Sequence, residues 1–285
     1  MAKVNFLSNK ELLHEIHQSK KSFCYFIDNA YSSYDAIAVT LDEINEEVIA
    51  DCRARRAAQQ MQAAKLVLKN QGLKSHQIKV AMVEPTEIPI DSLVFRIMND
   101  DHIPMLTEEE LKPAQRLKAA EENRVKTNFN AFKHYLLVYS GDPLEETVDM
   151  TKVSFKEVGR SHWKGGLENG HFCMTHGNIT DRLARMYMKM VDRYSQKPNW
   201  RGYSYLDEMK NQSLLQLIQV GLKFDERRSQ NPFAYYTTTM TNSFTGVFHK
   251  EKRNQNIRDD ILIMQGQTPS NTRMVEHEMS QGAAK

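Results

Sequence analysis

The chain has 285 residues, with 38 Lys and Arg against 36 Asp and Glu, and 40% of its residues are hydrophobic. That length is enough for one large or two modest domains. No apolar run approaches the ~18–20 residues that a membrane span needs, and the first residues lack the apolar stretch of a signal peptide, so we expect a soluble protein without a membrane segment. Three cysteines, Cys24, Cys52 and Cys173, exclude a disulfide framework and suit a reducing cytosol.

The first predicted element is a short helix within residues 1–20. Ser8 and Glu11 stand at the spacing of a capping box, and Leu12 and Ile16 then fall on one face. A helix of this length is not stable alone, so we expect it to dock on another surface.

Residues 21–177 have a mixed pattern. Short β-branched and aromatic runs predict strands, and longer polar runs predict helices. The predicted strands are Phe23–Ile27, Ala36–Val39, Ile78–Val83, Leu93–Ile97, Tyr135–Tyr139 and Val153–Val158, and the predicted helices are Asp51–Asn70 and Thr107–Asn123. The pattern indicates an α+β segment, whose role the sequence does not reveal.

Near the end of this segment, histidines and a cysteine fall in a glycine-rich stretch. His162, His171, Cys173 and His176 include a His-x-Cys-x-x-His pattern, which is compatible with zinc ligands. The spacing fits no standard zinc site, so we favour a hairpin and predict no metal and no other cofactor. No phosphate-binding glycine loop, nucleophile elbow or Cys–His pair is recognisable in the sequence, and we expect no enzymatic activity.

From residue 178 to residue 262 the pattern changes to three helices. The first two are predicted over Ile179–Tyr194 and Tyr205–Phe224. The third begins at Asn231-Pro232, an N-cap residue followed by proline at the first helical position, and is expected to reach about Arg253.

The tail, residues 263–285, has no aromatic residue and few aliphatic ones, so we predict that it is disordered. The fold class that follows is α+β: a mixed N-terminal segment and then an all-helical domain.

The third helix combines aromatic, hydroxyl and cationic side chains. Between residues 179 and 262, fourteen Lys and Arg stand against nine Asp and Glu. This combination suits single-stranded nucleic acid, because cations hold phosphates while rings stack on unpaired bases. An ordinary amphipathic helix with solvated ends is the alternative interpretation. The candidate DNA-binding residues are Arg227, Arg228, Phe233, Tyr235, Tyr236, Thr239, Asn242, Lys250, Lys252 and Arg253.

Several short motifs follow one another almost without gaps in this half of the chain. They are Trp200-Arg-Gly-Tyr203, Glu208-Met209, Lys223-Phe-Asp225, Asn231-Pro-x-Ala-Tyr-x-Thr237, Asn242-x-Phe244 and Lys250-Glu-Lys-Arg253. Together with the opening Asn9-Lys-Glu-Leu-Leu13, this ordered set resembles region 2 of the sigma-70 family of bacterial transcription initiation factors. The resemblance is to the divergent branch that T-even-type phages use for late transcription, and it covers about a third of the chain.

The resemblance implies a sigma factor that binds host core RNA polymerase and recognises and melts the −10 element of late promoters. It places Phe233, Tyr235 and Tyr236 at the aromatic positions that capture a flipped base. Tyr236 also shares a helix face with Phe233 and Met240, so a core position is the alternative for it. The expected location is the cytoplasm of the infected bacterial host. The resemblance also implies contact with the clamp helices of the polymerase β′ subunit, through Asp207, Glu208, Met209, Asn211, Gln212 and Leu215.

Two features depart from the family. No helix-turn-helix that reads a −35 element is recognisable after the helical domain, as in the phage late branch. The tail sequence Met274-Val-Glu-His-Glu-Met-Ser280 lacks the aromatic residue of the motif that binds the sliding clamp in T-even phages. A phage coactivator or sliding clamp is therefore left open as a further partner. The alternative function is a non-sigma nucleic-acid-binding or structural interaction protein.

Overall fold

The computed structural model describes residues 7–72, 80–107, 109–111 and 123–282. These residues divide into two compact units. Unit 1 holds the described residues of Met1–Leu13, Asp181–Phe224 and Gln230–Lys285, and unit 2 holds those of His14–Thr180 and Asp225–Ser229. Within the described ranges, no helix combines the length and the apolar character needed to cross a membrane.

The first helix, α1, covers Asn9–Lys21. The predicted capping box is confirmed, because the Glu11 N–H donates to Ser8 Oγ (3.2 Å) while the Ser8 N–H donates to Glu11 Oε2 (3.3 Å). Leu12 and Ile16 are fully buried, as the predicted apolar face requires.

Unit 2 is built on a mixed sheet. Its strands are β1 (Cys24–Phe26), β2 (Ala36–Ala38), β3 (Val94–Ile97), β4 (Lys133–Tyr139) and β5 (Val153–Ser161). They are ordered β1-β5-β4-β3-β2. The β2–β3 pair is parallel, and the other pairs are antiparallel. The hairpin predicted around the histidines is confirmed as β6 (Trp163–Lys164) and β7 (His171–Phe172).

One long helix, α2 (Glu46–Asn70), completes the core of unit 2. It begins five residues before the predicted start, since the Asn45 side chain caps it by accepting from the Val48 N–H at 2.9 Å. Ile49 and Cys52 of α2 share a buried cluster with Phe95 and Leu137 of the sheet. Apolar residues at helical spacing on one element and at alternating positions on the other explain this packing.

The regular elements of unit 1 that the structure describes after Thr180 are helices, joined by turns and irregular segments. The helices are α3 (Asp181–Ser195), α4 (Leu206–Val220), α5 (Pro232–Met264) and α6 (Asn271–Gly282). The core of the unit contains the fully buried side chains of Tyr187, Met209, Leu217, Tyr236 and Phe244. Asn231 caps α5 as predicted, with its Oδ1 accepting from the Ala234 N–H at 3.4 Å.

The end of the chain differs from the prediction. Helix α5 continues past Arg253 to Met264, and α6 occupies part of the tail that was expected to be disordered. A polar contact joins the two helices: the buried Asp259 carboxylate of α5 accepts from both the N–H (2.9 Å) and the Oγ (2.6 Å) of Ser270, the residue before α6. The low hydrophobicity of the tail gave no sign of this contact.

Two further predictions for unit 2 concern the strand expected at Ile78–Val83 and the helix expected at Thr107–Asn123. The strand predicted over Ile78–Val83 is wrong for its described part, residues 80–83, which have no strand pairing and leave Met82 73% exposed. A short apolar run alone does not supply a neighbouring strand. The helix predicted over Thr107–Asn123 lies mostly outside the described residues.

Candidate nucleic-acid interface

A groove of about 630 Å³ runs between α4 and α5 in unit 1. Its α4 side is formed by Glu208, Gln212, Gln216 and Val220 of α4, and by Lys223 of the short 3-10 helix that follows α4. Its α5 side is formed by Tyr235, Thr239, Asn242, Ser243, Gly246, Val247 and Lys250. These residues recur every three or four positions, which places each set along one helix face. The set on α5 spans fifteen residue steps, so the groove is roughly 22 Å long at the helical rise of ~1.5 Å per residue.

Tyr235 provides the aromatic ring of the groove. Its hydroxyl donates to the Val220 carbonyl at 2.9 Å, and its ring lies 5.8 Å from that of Phe224. Burial raises the pKa of Tyr235, so the hydroxyl remains a donor at neutral pH. The half-buried ring is therefore fixed in place before any ligand arrives.

The opposite end of the groove carries an ion pair. Lys250 Nζ lies 3.6 Å from Glu208 Oε1, and both side chains are more than half exposed. Such a pair contributes little to stability in water, on the order of 0–1 kcal/mol. Both groups are accordingly available to a ligand at small cost.

The remaining predicted DNA-binding residues of α5 are placed differently. Tyr236 is fully buried, with its hydroxyl donating to the Gly221 carbonyl at 3.0 Å, so its assignment to base capture is corrected to a core position. Phe233 is half-buried and does not line the groove. Lys252 and Arg253 are exposed and follow the groove along α5.

Arg227 and Arg228 belong to unit 2, in the segment Asp225–Ser229. Arg227 Nε and Nη2 form two short contacts with the Asp225 carboxylate, at 3.0 and 2.9 Å. Hydrogen bonding from Arg227 holds the pKa of Asp225 below its usual range. The structure therefore does not group these arginines with the groove residues, and Arg227 already has an anionic partner.

The predicted polymerase-binding residues fall into three groups. Met209 is fully buried, so its assignment to the interface is corrected to the core of unit 1. Glu208 and Gln212 line the groove. Asp207, Asn211 and Leu215 are exposed at successive turns of α4 and are not groove residues.

Some groove residues were not predicted as functional. Gln216, Val220, Ser243, Gly246 and Val247 belong to no motif, and Lys223 was part of the Lys223-Phe-Asp225 motif but was not assigned a role. The available signal was their spacing from Glu208 and Tyr235 in steps of three or four, which becomes informative only once α4 and α5 are known to be neighbours.

Comparisons with protein-family models, with curated proteins and with solved structures find no match for this chain. Its function must be argued from its own residues.

Proposed function

We propose that this chain is a phage-type sigma factor: it binds host core RNA polymerase and recognises and melts the −10 element of late promoters. The resemblance of its ordered motifs to sigma region 2 motivates the proposal, and the groove of unit 1 is the observation that carries it.

The groove combines what an unpaired strand requires. Tyr235 offers a fixed ring for stacking, Lys223 and Lys250 offer cations for phosphates, and amides and hydroxyls lie between them. Bases of a closed duplex do not present their faces to a side chain, so such a groove acts on DNA that is being unpaired. An AT-rich element costs least to unpair, and stacking then holds the released base.

The exposed turns of α4 outside the groove supply a separate docking surface. Asp207 has a side chain that is 93% exposed, and Leu215 is 54% exposed on the same helix. An acidic, amide and apolar set of this kind suits a basic coiled-coil partner such as the polymerase clamp helices. In this proposal α4 contacts polymerase through its exposed turns and DNA through the side that lines the groove.

Replacing Tyr235 with alanine is expected to reduce promoter opening roughly tenfold, because stacking on one unpaired base contributes ~1–3 kcal/mol. The measurement is permanganate footprinting of unpaired thymines in transcription reactions that contain core polymerase and AT-rich promoter DNA. Tyr235→Phe is the matched control, since it keeps the ring and removes only the hydrogen bond to Val220. Wild-type opening by a folded Tyr235→Ala protein would exclude this ring as the melting element.

Charge reversal on the exposed turns of α4, Asp207→Arg with Asn211→Arg, is expected to weaken binding to core polymerase by about 2 kcal/mol or more. The comparison variant Gln216→Ala with Lys223→Ala removes an amide and a phosphate-binding cation from the groove, so it should impair DNA opening while leaving polymerase affinity nearly unchanged. Co-purification and titration with core polymerase measure both variants. If the groove variant has reduced affinity for core polymerase and the exposed-face variant does not, the roles of the two faces of α4 have been exchanged.

A further inference from the structure

Gly246 lies in the interior of α5, where glycine is a poor helix former. A Cβ atom added at Gly246 would meet no heavy atom within 4 Å. Packing does explain the glycine at position 221, where an added Cβ would lie 2.2 Å from the Tyr187 hydroxyl oxygen. Nothing inside unit 1 that the structure describes therefore requires a glycine at position 246, and its effect is to leave the groove open at that point.

Polar side chains surround this opening. Asn242 and Lys250 lie one turn before and one turn after Gly246 on α5, and Gln212 lines the α4 side of the groove. The Ser243 hydroxyl also lines the groove and has no hydrogen-bond partner among the described residues.

The chemistry of the opening fits a nucleobase. Amide side chains hydrogen-bond the edges of bases, an ammonium group binds phosphate, and a glycine allows a flat ring to approach the helix backbone closely. Tyr235 is eleven residues away along α5, about 16 Å at the helical rise, so a base stacked on that ring does not reach Gly246.

We propose that Gly246 forms the floor of a second nucleobase subsite, so that the groove holds one strand through a base at Tyr235 and another base at Gly246. The choice of a DNA strand as ligand rests on the proposed function. The subsite itself rests on the open glycine and on the amide and ammonium groups that line the groove around it.

The test is equilibrium binding of the full-length chain to a fluorescein-labelled single-stranded oligonucleotide of A and T, followed by anisotropy at low salt. Gly246→Leu is expected to fill the opening and raise Kd about tenfold, within the range that one engaged base provides. Gly246→Ala should raise Kd no more than about threefold. Both variants should keep or raise the melting temperature, because each improves helix propensity, and Thr238→Leu, exposed on α5 outside the groove, should bind like wild type.

Abasic oligonucleotides separate a base subsite from phosphate contact. Removing one base at successive positions should identify a position where wild type loses affinity and Gly246→Leu loses nothing further, since both changes remove one interaction. The subsite would be overturned if the losses of affinity from the abasic position and from Gly246→Leu were additive. It would also be overturned if Gly246→Leu bound the oligonucleotide as tightly as wild type, or if wild type did not bind it at all. Failure to bind core polymerase would instead overturn the proposed function, because the oligonucleotide assay contains no polymerase.

Discussion

Replacing Lys20 with methionine is expected to lower the free energy of unfolding of unit 2 by about 3–5 kcal/mol, the usual cost of breaking a buried ion pair. Lys20 Nζ lies 2.7 Å from Glu226 Oε1, and the two side chains are only 3% and 8% exposed. His17 Nε2 approaches the same carboxylate oxygen at 3.3 Å. The substitution would leave a buried carboxylate without its main cation.

The ionisation of the pair supports a large effect. Burial lowers the pKa of Lys20, although Glu226 opposes this shift. Burial also disfavours the Glu226 carboxylate, but the hydrogen bond from His17 and the charge of Lys20 outweigh it and hold the Glu226 pKa well below its usual range. Each group is buried, and each depends on the charge of the other for compensation.

The two tryptophans of the chain allow unit 2 to be followed separately. Trp163 lies in unit 2 and Trp200 in unit 1, so a Trp200→Phe background reports the unfolding of unit 2 alone in urea. The double variant Lys20→Met with Glu226→Met should recover most of the lost stability, because an apolar pair of similar volume is tolerated where a lone charge is not. Equal midpoints for Lys20→Met and its parent would show that the pair does not stabilise unit 2.

Local sequence signals predicted α1 to α5 and most strands, but they missed α6 and the full length of α2 and α5. The capping box at Ser8 and the Asn231-Pro232 start are short-range hydrogen-bond patterns, and these are present in the structure. The Lys20–Glu226 pair joins residues 206 positions apart, and no local pattern indicates it. Such contacts depend on tertiary packing, which periodicity does not specify.

In the candidate site, the spacing of Tyr236 from Phe233 and Met240 left a core position open, but it did not decide between that position and base capture. Tyr235 and Tyr236 are neighbours with the same chemistry, yet one lines the groove and the other is buried. The difference depends on which face of α5 packs against α3 and α4, where the Tyr187 and Tyr236 hydroxyls lie 3.1 Å apart. In the sequence, Gly246 is only a weak indication of a functional site. Its position in the groove depends on the packing of α4 against α5.

Lowering the pH from 7.5 to 5.5 is expected to destabilise unit 2 by about 3 kcal/mol through two buried histidines alone. His134 and His162 are fully buried. Burial, reinforced by the charge of Arg96, lowers the pKa of His134 to about 3. Burial, reinforced by His102 and His176, lowers the pKa of His162 to about 3 as well.

The sign of the effect follows from where the protons bind. In the unfolded chain histidine has a pKa of about 6.5, so below that pH the unfolded state takes up protons that folded unit 2 does not. The stability that these neutral histidines provide is complete above pH 6.5 and is lost as the pH falls towards 3. Each contributes about 1.4 kcal/mol per pH unit in that window.

His134 offers the sharpest test, because its hydrogen bonds fix the neutral ring. Its Nδ1 lies 2.7 Å from the Tyr31 carbonyl and must donate, so its Nε2 is left to accept from Arg96 Nε at 3.0 Å. Gln at position 134 can both donate and accept but cannot titrate. In the Trp200→Phe background, His134→Gln should therefore lose about 1.4 kcal/mol less stability than its parent between pH 7.5 and 5.5, whatever its stability at neutral pH. An identical loss in both proteins would mean that folded unit 2 already protonates His134 at pH 5.5, against the two hydrogen bonds that hold the ring neutral.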